Sequence, residues 1–265
     1  MAPRVAHLAC RTVIPYIEIP PITFGPLRIH VWGLLVAIGL GVGYFSLRRR
    51  LQRMGLDGTH VPGALFWVLV GAVMGAALLS AITSGVGSPG DLLRIPKGAA
   101  YGGIAAGLAG GWLYLWACGI RGTAFVQTLD AMAFVLPRGW LFLRLGCALV
   151  HDHPGIPTDS WLGVQYPAGP RFDLGLLELL FTIAFLGILT FFDRLPRPPG
   201  FYCGFVPFAY GICRLVLEPL TEDPHRYFGW SLNLYFSLVA VAAGLAVLTL
   251  SIRRASRNGL PLPTR

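Results

Sequence analysis

Charge is what this chain has least of. Only 12% of its 265 residues are Asp, Glu, Lys or Arg, roughly half the 25% carried by a soluble domain. That scarcity, with 55% apolar residues and a mean hydropathy of +0.64, excludes an ordinary water-soluble domain. Paired cysteines are missing too. The five cysteines fall in no recurring spacing, which argues against a disulfide framework or a zinc site. No basic-aromatic stripe or recognition motif is present, so the net charge of +9 does not signal nucleic acid. Basic clusters facing anionic lipid account for it better. No internal repeat stands out, which counts against inverted-repeat transporter folds. Residues 1–27 lack an apolar core, so no cleavable signal peptide is expected, and Leu8-Ala9-Cys10 lacks the hydrophobic run that a lipoprotein cleavage box needs.

Long apolar runs are what the chain has in quantity. Seven can be traced, at about Val31–Leu47, Pro62–Ile82, Tyr101–Cys118, Phe125–Val150, Leu174–Phe192, Phe201–Leu217 and Leu232–Ile252. Each is near the roughly 17–25 residues that cross a bilayer. The fourth contains Pro137-Arg138-Gly139 and is expected to be two helical pieces or a re-entrant segment. The 34 glycines and 21 prolines are spread through these runs, where close helix packing and broken helices use them. The fold class expected is an all-α, polytopic integral membrane protein of about seven transmembrane helices. It forms a single domain over residues 1–265, with a small outer head made from loops such as Gly155–Pro170, and Gly85–Lys97 as a further outer loop. Arg48-Arg49-Arg50 follows the first span, and Arg253, Arg254 and Arg257 follow the last. The positive-inside rule then puts the N-terminus outside and the C-terminus in the cytoplasm.

Two arginines break the apolar pattern. Arg144 and Arg214 lie inside spans, where a guanidinium costs about 2.5–3.5 kcal/mol on insertion scales. Such a residue normally faces a polar cavity and holds an anion, and the abundant anions of a bilayer are lipid phosphates. Tyr210, Arg214 and Glu218 are spaced four apart, so they share one helix face. His151-Asp152-His153-Pro154-Gly155 follows the Arg144 span directly. Gly102-Gly103 opens the third span, and Gly103, Gly107 and Gly111 form a row that lets a helix or a lipid chain approach the backbone. One phospholipid site toward the outer leaflet is the economical reading. Each group also has a plainer one. Arg144 suits interfacial snorkelling, Arg214 with Glu218 suits a structural ion pair, and Tyr101 suits an interfacial aromatic. His151 and His153 suit loop decoration, Cys147 a small buried hydrophobe, and Asp130 and Glu178 helix-orienting groups within the bundle.

In order along the chain, these residues resemble the prolipoprotein diacylglyceryl transferase family. The resemblance runs from about Ile19 to Ser251. Phe24-Gly25-Pro26-Leu27-Arg28-Ile29 followed by Trp32-Gly33-Leu34 resembles the family's opening span. Pro137, Gly139 and Arg144-Leu145-Gly146 resemble the start of its signature G-R-x-G-N-F-x-N-G-E-x-x-G, with Asp152 and Gly155 on the acidic and final glycine positions. Glu178 matches the glutamate closing H-P-x-Q-L-Y-E, and Arg197-Pro198-Pro199-Gly200 matches R-P-P-G. Tyr210-Gly211-x-x-Arg214-x-x-x-Glu218 matches Y-G-x-x-R-x-x-x-E. The departures are as specific. Tyr101 stands where S-F-H-G-G has histidine, Cys147 replaces the signature asparagine, and Thr221 replaces a basic residue beyond Glu218.

The resemblance implies an activity: transfer of the diacylglyceryl group from phosphatidylglycerol to the lipobox cysteine thiol of a prolipoprotein, with release of glycerol phosphate. It implies a bacterial inner-membrane enzyme whose partners are phosphatidylglycerol, a lipobox segment and the bilayer, with no metal or organic cofactor. Arg144 and Arg214 are the expected phosphate clamp, because a guanidinium fork engages two phosphate oxygens. Gly102, Gly103, Tyr210 and Glu218 are expected around the lipid, with Asp152, Gly155 and Glu178 in support. For proton removal the candidates are Tyr101, His151 and His153, the histidines having an ordinary pKa near about 6.5. Asp152 is expected to orient an arginine. Since Tyr101 is a poor base, the runner-up is a catalytically impaired relative that binds or presents phospholipid. A transporter or channel is weaker, with only Asp130 as a polar group in the inner half.

Overall fold

The computed structural model describes residues 14–17, 19–25, 27–84, 99–222 and 228–257. The segment Gly85–Lys97, Leu8-Ala9-Cys10 and Pro26 lie outside the described residues. Among the described residues seven helices dominate: α1 (Val31–Arg53), α2 (Val61–Ser84), α3 (Ala99–Ala117), α4 (Gly122–Val150), α5 (Leu174–Phe192), α6 (Phe201–Leu217) and α7 (Leu232–Arg257). All but α3 are long and apolar enough to cross a membrane. α3 spans 19 residues. The chain is an all-α polytopic membrane protein. Its outward faces are apolar: Val73, Met74, Leu78 and Ile82 of α2 are exposed, as side chains meeting hydrocarbon are.

Glycine holds the bundle together where a lipid environment gives helices little hydrophobic drive to associate. α2 and α3 run antiparallel in close contact. A Cβ on Gly75 would fall 2.2 Å from the Gly102 carbonyl oxygen, and one on Gly102 would fall 2.3 Å from that of Gly75. α6 and α7 meet the same way through Gly204, Gly211 and Gly244, and α1 meets α4 at Gly39 and Gly139. Leu51, Phe134, Phe185, Leu189 and Tyr202 fill the core between α1, α4, α5 and α6.

The fourth span corrects the expectation of two pieces or a re-entrant loop. α4 is one helix of 29 residues with Pro137 inside it. Pro137 removes one backbone donor, and neighbouring groups re-satisfy the freed carbonyls, as they do in other membrane helices. One residue further on, Arg138 Nη1 donates to the Phe134 carbonyl at 2.9 Å, and its guanidinium lies 4.2 Å from the Phe134 ring centroid.

The head is also more ordered than expected. It is built on β-strands, β1 (Ile14–Pro15), β2 (Ile22–Phe24), β3 (Leu27–Ile29), β4 (Pro154–Pro157), β5 (Gly163–Tyr166) and β6 (Gly169–Asp173). Four of them form a sheet in the order β1-β5-β6-β4, while β2 and β3 make a separate antiparallel pair. Short strands bounded by Gly and Pro gave too weak an alternation to register as sheet. Gly155 ties this head to the bundle. It bridges to Thr221, just past a 3₁₀ turn at Glu218–Leu220, and a Cβ there would fall 2.5 Å from the Leu220 carbonyl.

At the opposite end Arg50 pairs bidentately with Asp193, at 3.0 and 2.8 Å, while its guanidinium packs 3.6 Å from the Phe134 ring centroid. Asp130, the candidate for an inner polar path, instead accepts from the Cys203 backbone amide at 2.9 Å. It serves the first turn of α6, whose amides have no partner within the helix. The R-P-P-G turn sets the entry to α6: Gly200 adopts φ 91°, and Ser251 Oγ donates to the Pro199 carbonyl at 2.8 Å.

Candidate functional site

Where the head joins the bundle, α4, α5 and α6 bring three charges together. Glu178, 1% exposed, lies one turn into α5. Arg144 Nη2 sits 2.8 Å from Glu178 Oε2, and Arg214 Nη1 sits 2.5 Å from Oε1. Tyr210 joins them, donating its hydroxyl to Glu178 Oε2 at 3.2 Å and accepting from Arg144 Nη2 at 3.3 Å. One carboxylate thus holds two guanidiniums in fixed orientation. The arrangement leaves donors over: Arg144 Nε is buried with no hydrogen-bond partner. Trp140, one turn before Arg144, backs the clamp, with Arg144 Cζ 4.8 Å from its ring centroid.

Two expected placements change. Arg214 does not pair with Glu218 although the two share a helical face. Pro219 ends α6 at this point and turns the chain into the 3₁₀ turn, so Glu218 accepts from Ser231 Oγ instead. The remaining carboxylate oxygen of Glu218, Oε2, is buried and unpartnered. Asp152 orients no arginine; it pairs with His153. Gly102 and Gly103 have their Cα faces against Gly75 and Ala72 of α2, so their smallness serves helix packing.

Tyr101 reaches the site from α3. Its ring stacks on Phe236 of α7 with centroids 4.1 Å apart, and its hydroxyl interacts with Arg214. The two histidines part company. His151 ends α4 in the left-handed region, φ 51°, and its Nδ1 lies 2.5 Å from Asp173 Oδ2. Asp173, wholly buried, also accepts from Tyr166 Oη at 3.0 Å and from the Leu176 amide at 2.9 Å. Tyr16 stacks on the His151 ring at 4.6 Å. His151 is therefore built into the hinge between head and helices. His153 is open to solvent, and its hydrogen bond to Asp152 carries its pKa up to about 9. At neutral pH it carries its proton, so on its own it is a cation and no ready base.

Sequence reasoning missed Asp173, Trp140, Phe236 and Tyr16. Asp173 had a signal, since an aspartate immediately before an apolar run is a helix N-cap pattern. Trp140 lies four residues before Arg144, the spacing that puts two side chains on one helix face. Nothing local marks Phe236 or Tyr16, which meet their partners only through the tertiary fold.

A multi-pass bundle carrying a buried, carboxylate-oriented arginine pair where the head joins it defines a polytopic membrane protein with a charged cluster at one end. Comparison with known families is decisive on the class. Residues 21–250 match the family model of prolipoprotein diacylglyceryl transferase. A curated relative in Pseudomonas fluorescens (strain SBW25), named phosphatidylglycerol–prolipoprotein diacylglyceryl transferase, is 30% identical over 89% of this chain and 94% of its own length. Relatives of the same name in Ectopseudomonas mendocina (strain ymp) and Azotobacter vinelandii (strain DJ / ATCC BAA-1303) are 27% and 26% identical over at least 92% of this chain and 99% of their own. The chain belongs to the prolipoprotein diacylglyceryl transferase family.

Proposed function

We propose that this protein transfers the diacylglyceryl group of phosphatidylglycerol to the lipobox cysteine thiol of prolipoproteins, in the bacterial inner membrane with its head and N-terminus outside. One observation carries the reading: two buried guanidiniums fixed by one carboxylate, with Arg144 Nε buried and left without a hydrogen-bond partner. The lipid phosphate takes the donors that Glu178 leaves free. The acceptor sulfur, as thiolate, attacks the glyceryl carbon bearing the phosphate ester; a C–S bond forms and a C–O bond breaks. Glycerol phosphate departs with the bonding electron pair. Arg144 and Arg214 act as catalytic residues by neutralising that charge as it accumulates, with donors already oriented by Glu178 and Tyr210 and no reorganisation to complete. Tyr101, beside Arg214, positions the phosphate end of the lipid.

One feature favours a second reading. Tyr101 stands in place of the family's histidine and is stacked on Phe236, an arrangement that suits a lipid-binding relative with impaired chemistry. Purified protein, phosphatidylglycerol with a labelled acyl chain and a lipobox peptide separate the two. Label moving to the peptide, and lost in Arg144→Ala and Arg214→Ala, supports the transferase. No transfer by the native protein with recovery in Tyr101→His supports the impaired relative. No transfer by any variant, with lipid still bound, sinks the enzyme reading.

A further inference from the structure

The end of α4 and the turn after it bring together three side chains with ligand atoms, one of them in contact with Arg144. Cys147 is 2% exposed and fixed one turn before the helix ends. Asp152 and His153 follow, their side chains 41% and 43% exposed, on the solvent side of the thiol. One ligand atom of each, the cysteine sulfur, a carboxylate oxygen and an imidazole nitrogen, lies within 4.8 Å of the other two. We propose that Cys147, Asp152 and His153 form a site for a zinc-type divalent cation, with its fourth position open to the acceptor thiol.

The geometry and charge suit such an ion. Zinc–sulfur and zinc–nitrogen bonds of about 2.3 and 2.0 Å put the ligand atoms of a tetrahedral site roughly 3.2–3.8 Å apart. The three ligand atoms already lie within 4.8 Å of one another, and the two exposed side chains can part to admit the ion while Cys147 stays in place. A thiolate and a carboxylate together neutralise a 2+ ion, and three protein ligands with one open position is the pattern of catalytic zinc, not structural zinc. The metal takes the place of the proton that His153 and Asp152 otherwise share. Sequence spacing hides the site because it uses a single cysteine and two residues beyond a helix end.

The location gives the ion a task, which rests on the transferase reading. Arg144 Nη1 lies 4.0 Å from Cys147 Sγ, so a phosphate held by Arg144 sits beside the metal. A thiol that coordinates such an ion gives up its proton outright. The acceptor cysteine binds as thiolate, its proton passes to solvent, and its sulfur attacks the glyceryl carbon while the phosphate leaves into the arginine clamp. No redox change occurs. This supplies the deprotonation that Tyr101, standing in the place of a histidine, supplies poorly.

The test uses full-length protein in detergent, stripped with chelator and titrated with Co2+ as a spectroscopic stand-in. The expected result is one equivalent bound, with a thiolate-to-cobalt charge-transfer band and the intense visible bands of tetrahedral cobalt, displaced by Zn2+. Cys147→Ser abolishes the charge-transfer band, and His153→Ala weakens Co2+ binding at least about tenfold. Thermal unfolding of each variant confirms that it is folded. A folded native protein without the band, or a band that survives Cys147→Ser, overturns the site. Labelled-lipid transfer, run on stripped and zinc-reloaded protein, separates this proposal from the one before it. Transfer undiminished in stripped protein and in Cys147→Ser overturns the metal's role and leaves the transferase standing. A cobalt band with no transfer under any condition supports the site and removes the transferase reading.

Discussion

Glu178→Gln tests how the arginine pair is held. The substitution keeps shape and volume but removes the charge from a side chain 1% exposed. The carboxylate serves three donors through two oxygens: Arg144 at 2.8 Å, Arg214 at 2.5 Å and Tyr210 at 3.2 Å. Guanidiniums only donate, so an amide can satisfy one arginine with its oxygen and must turn its NH2 toward the other. Breaking a buried ion pair by removing one partner costs about 3–5 kcal/mol, because a charge is left uncompensated. For a domain of this size that lowers Tm by roughly 6–20 °C. The assay is thermal unfolding in neutral detergent, with and without phosphatidylglycerol. Anionic lipid should restore more stability to Glu178→Gln than to native protein, since a phosphate replaces the missing negative charge. In Arg144→Ala the lipid should restore less. A Glu178→Gln protein within about 1 kcal/mol of native, with equal lipid stabilisation, would refute the reasoning: the arginines would then be held by something other than Glu178.

Other sites give independent checks. Tyr210→Phe removes one bond to Arg144 and one to Glu178, and should cost about 1–2 kcal/mol and weaken phosphatidylglycerol binding, read by lipid-dependent thermal shift. Gly75→Val drives a side chain into the Gly102 carbonyl 2.2 Å away. It should destabilise by about 1–3 kcal/mol and displace Tyr101, read as altered quenching of fluorescence from a probe placed on α3. Arg50→Ala removes the bidentate pair with Asp193 and should lower stability by about 1.5–3 kcal/mol. Transfer by the folded fraction should be unchanged, because this pair lies at the far end of the bundle.

How much of this was legible from sequence depends on whether the physics was local. α5 and α6 were read with the boundaries they have, Leu174–Phe192 and Phe201–Leu217, because each is an apolar run of bilayer-spanning length. α4 was misread because proline is a breaker only where water competes for the freed carbonyls. In hydrocarbon a broken helix costs more, so the chain stays helical through the proline. The head strands escaped because two to five residues of Gly- and Pro-bounded chain carry almost no alternation to detect. The site divides the same way. Two arginines in apolar spans announce themselves, since each is costly wherever it sits. Their shared partner does not. Spacing on α6 offered Glu218 to Arg214, and only the meeting of α5 with α4 and α6 gives Glu178 to both. Position along one helix identifies which charges need explaining. Which carboxylate explains them is a property of helix packing, and here it turns an expected one-to-one pair into a two-to-one clamp with donors to spare.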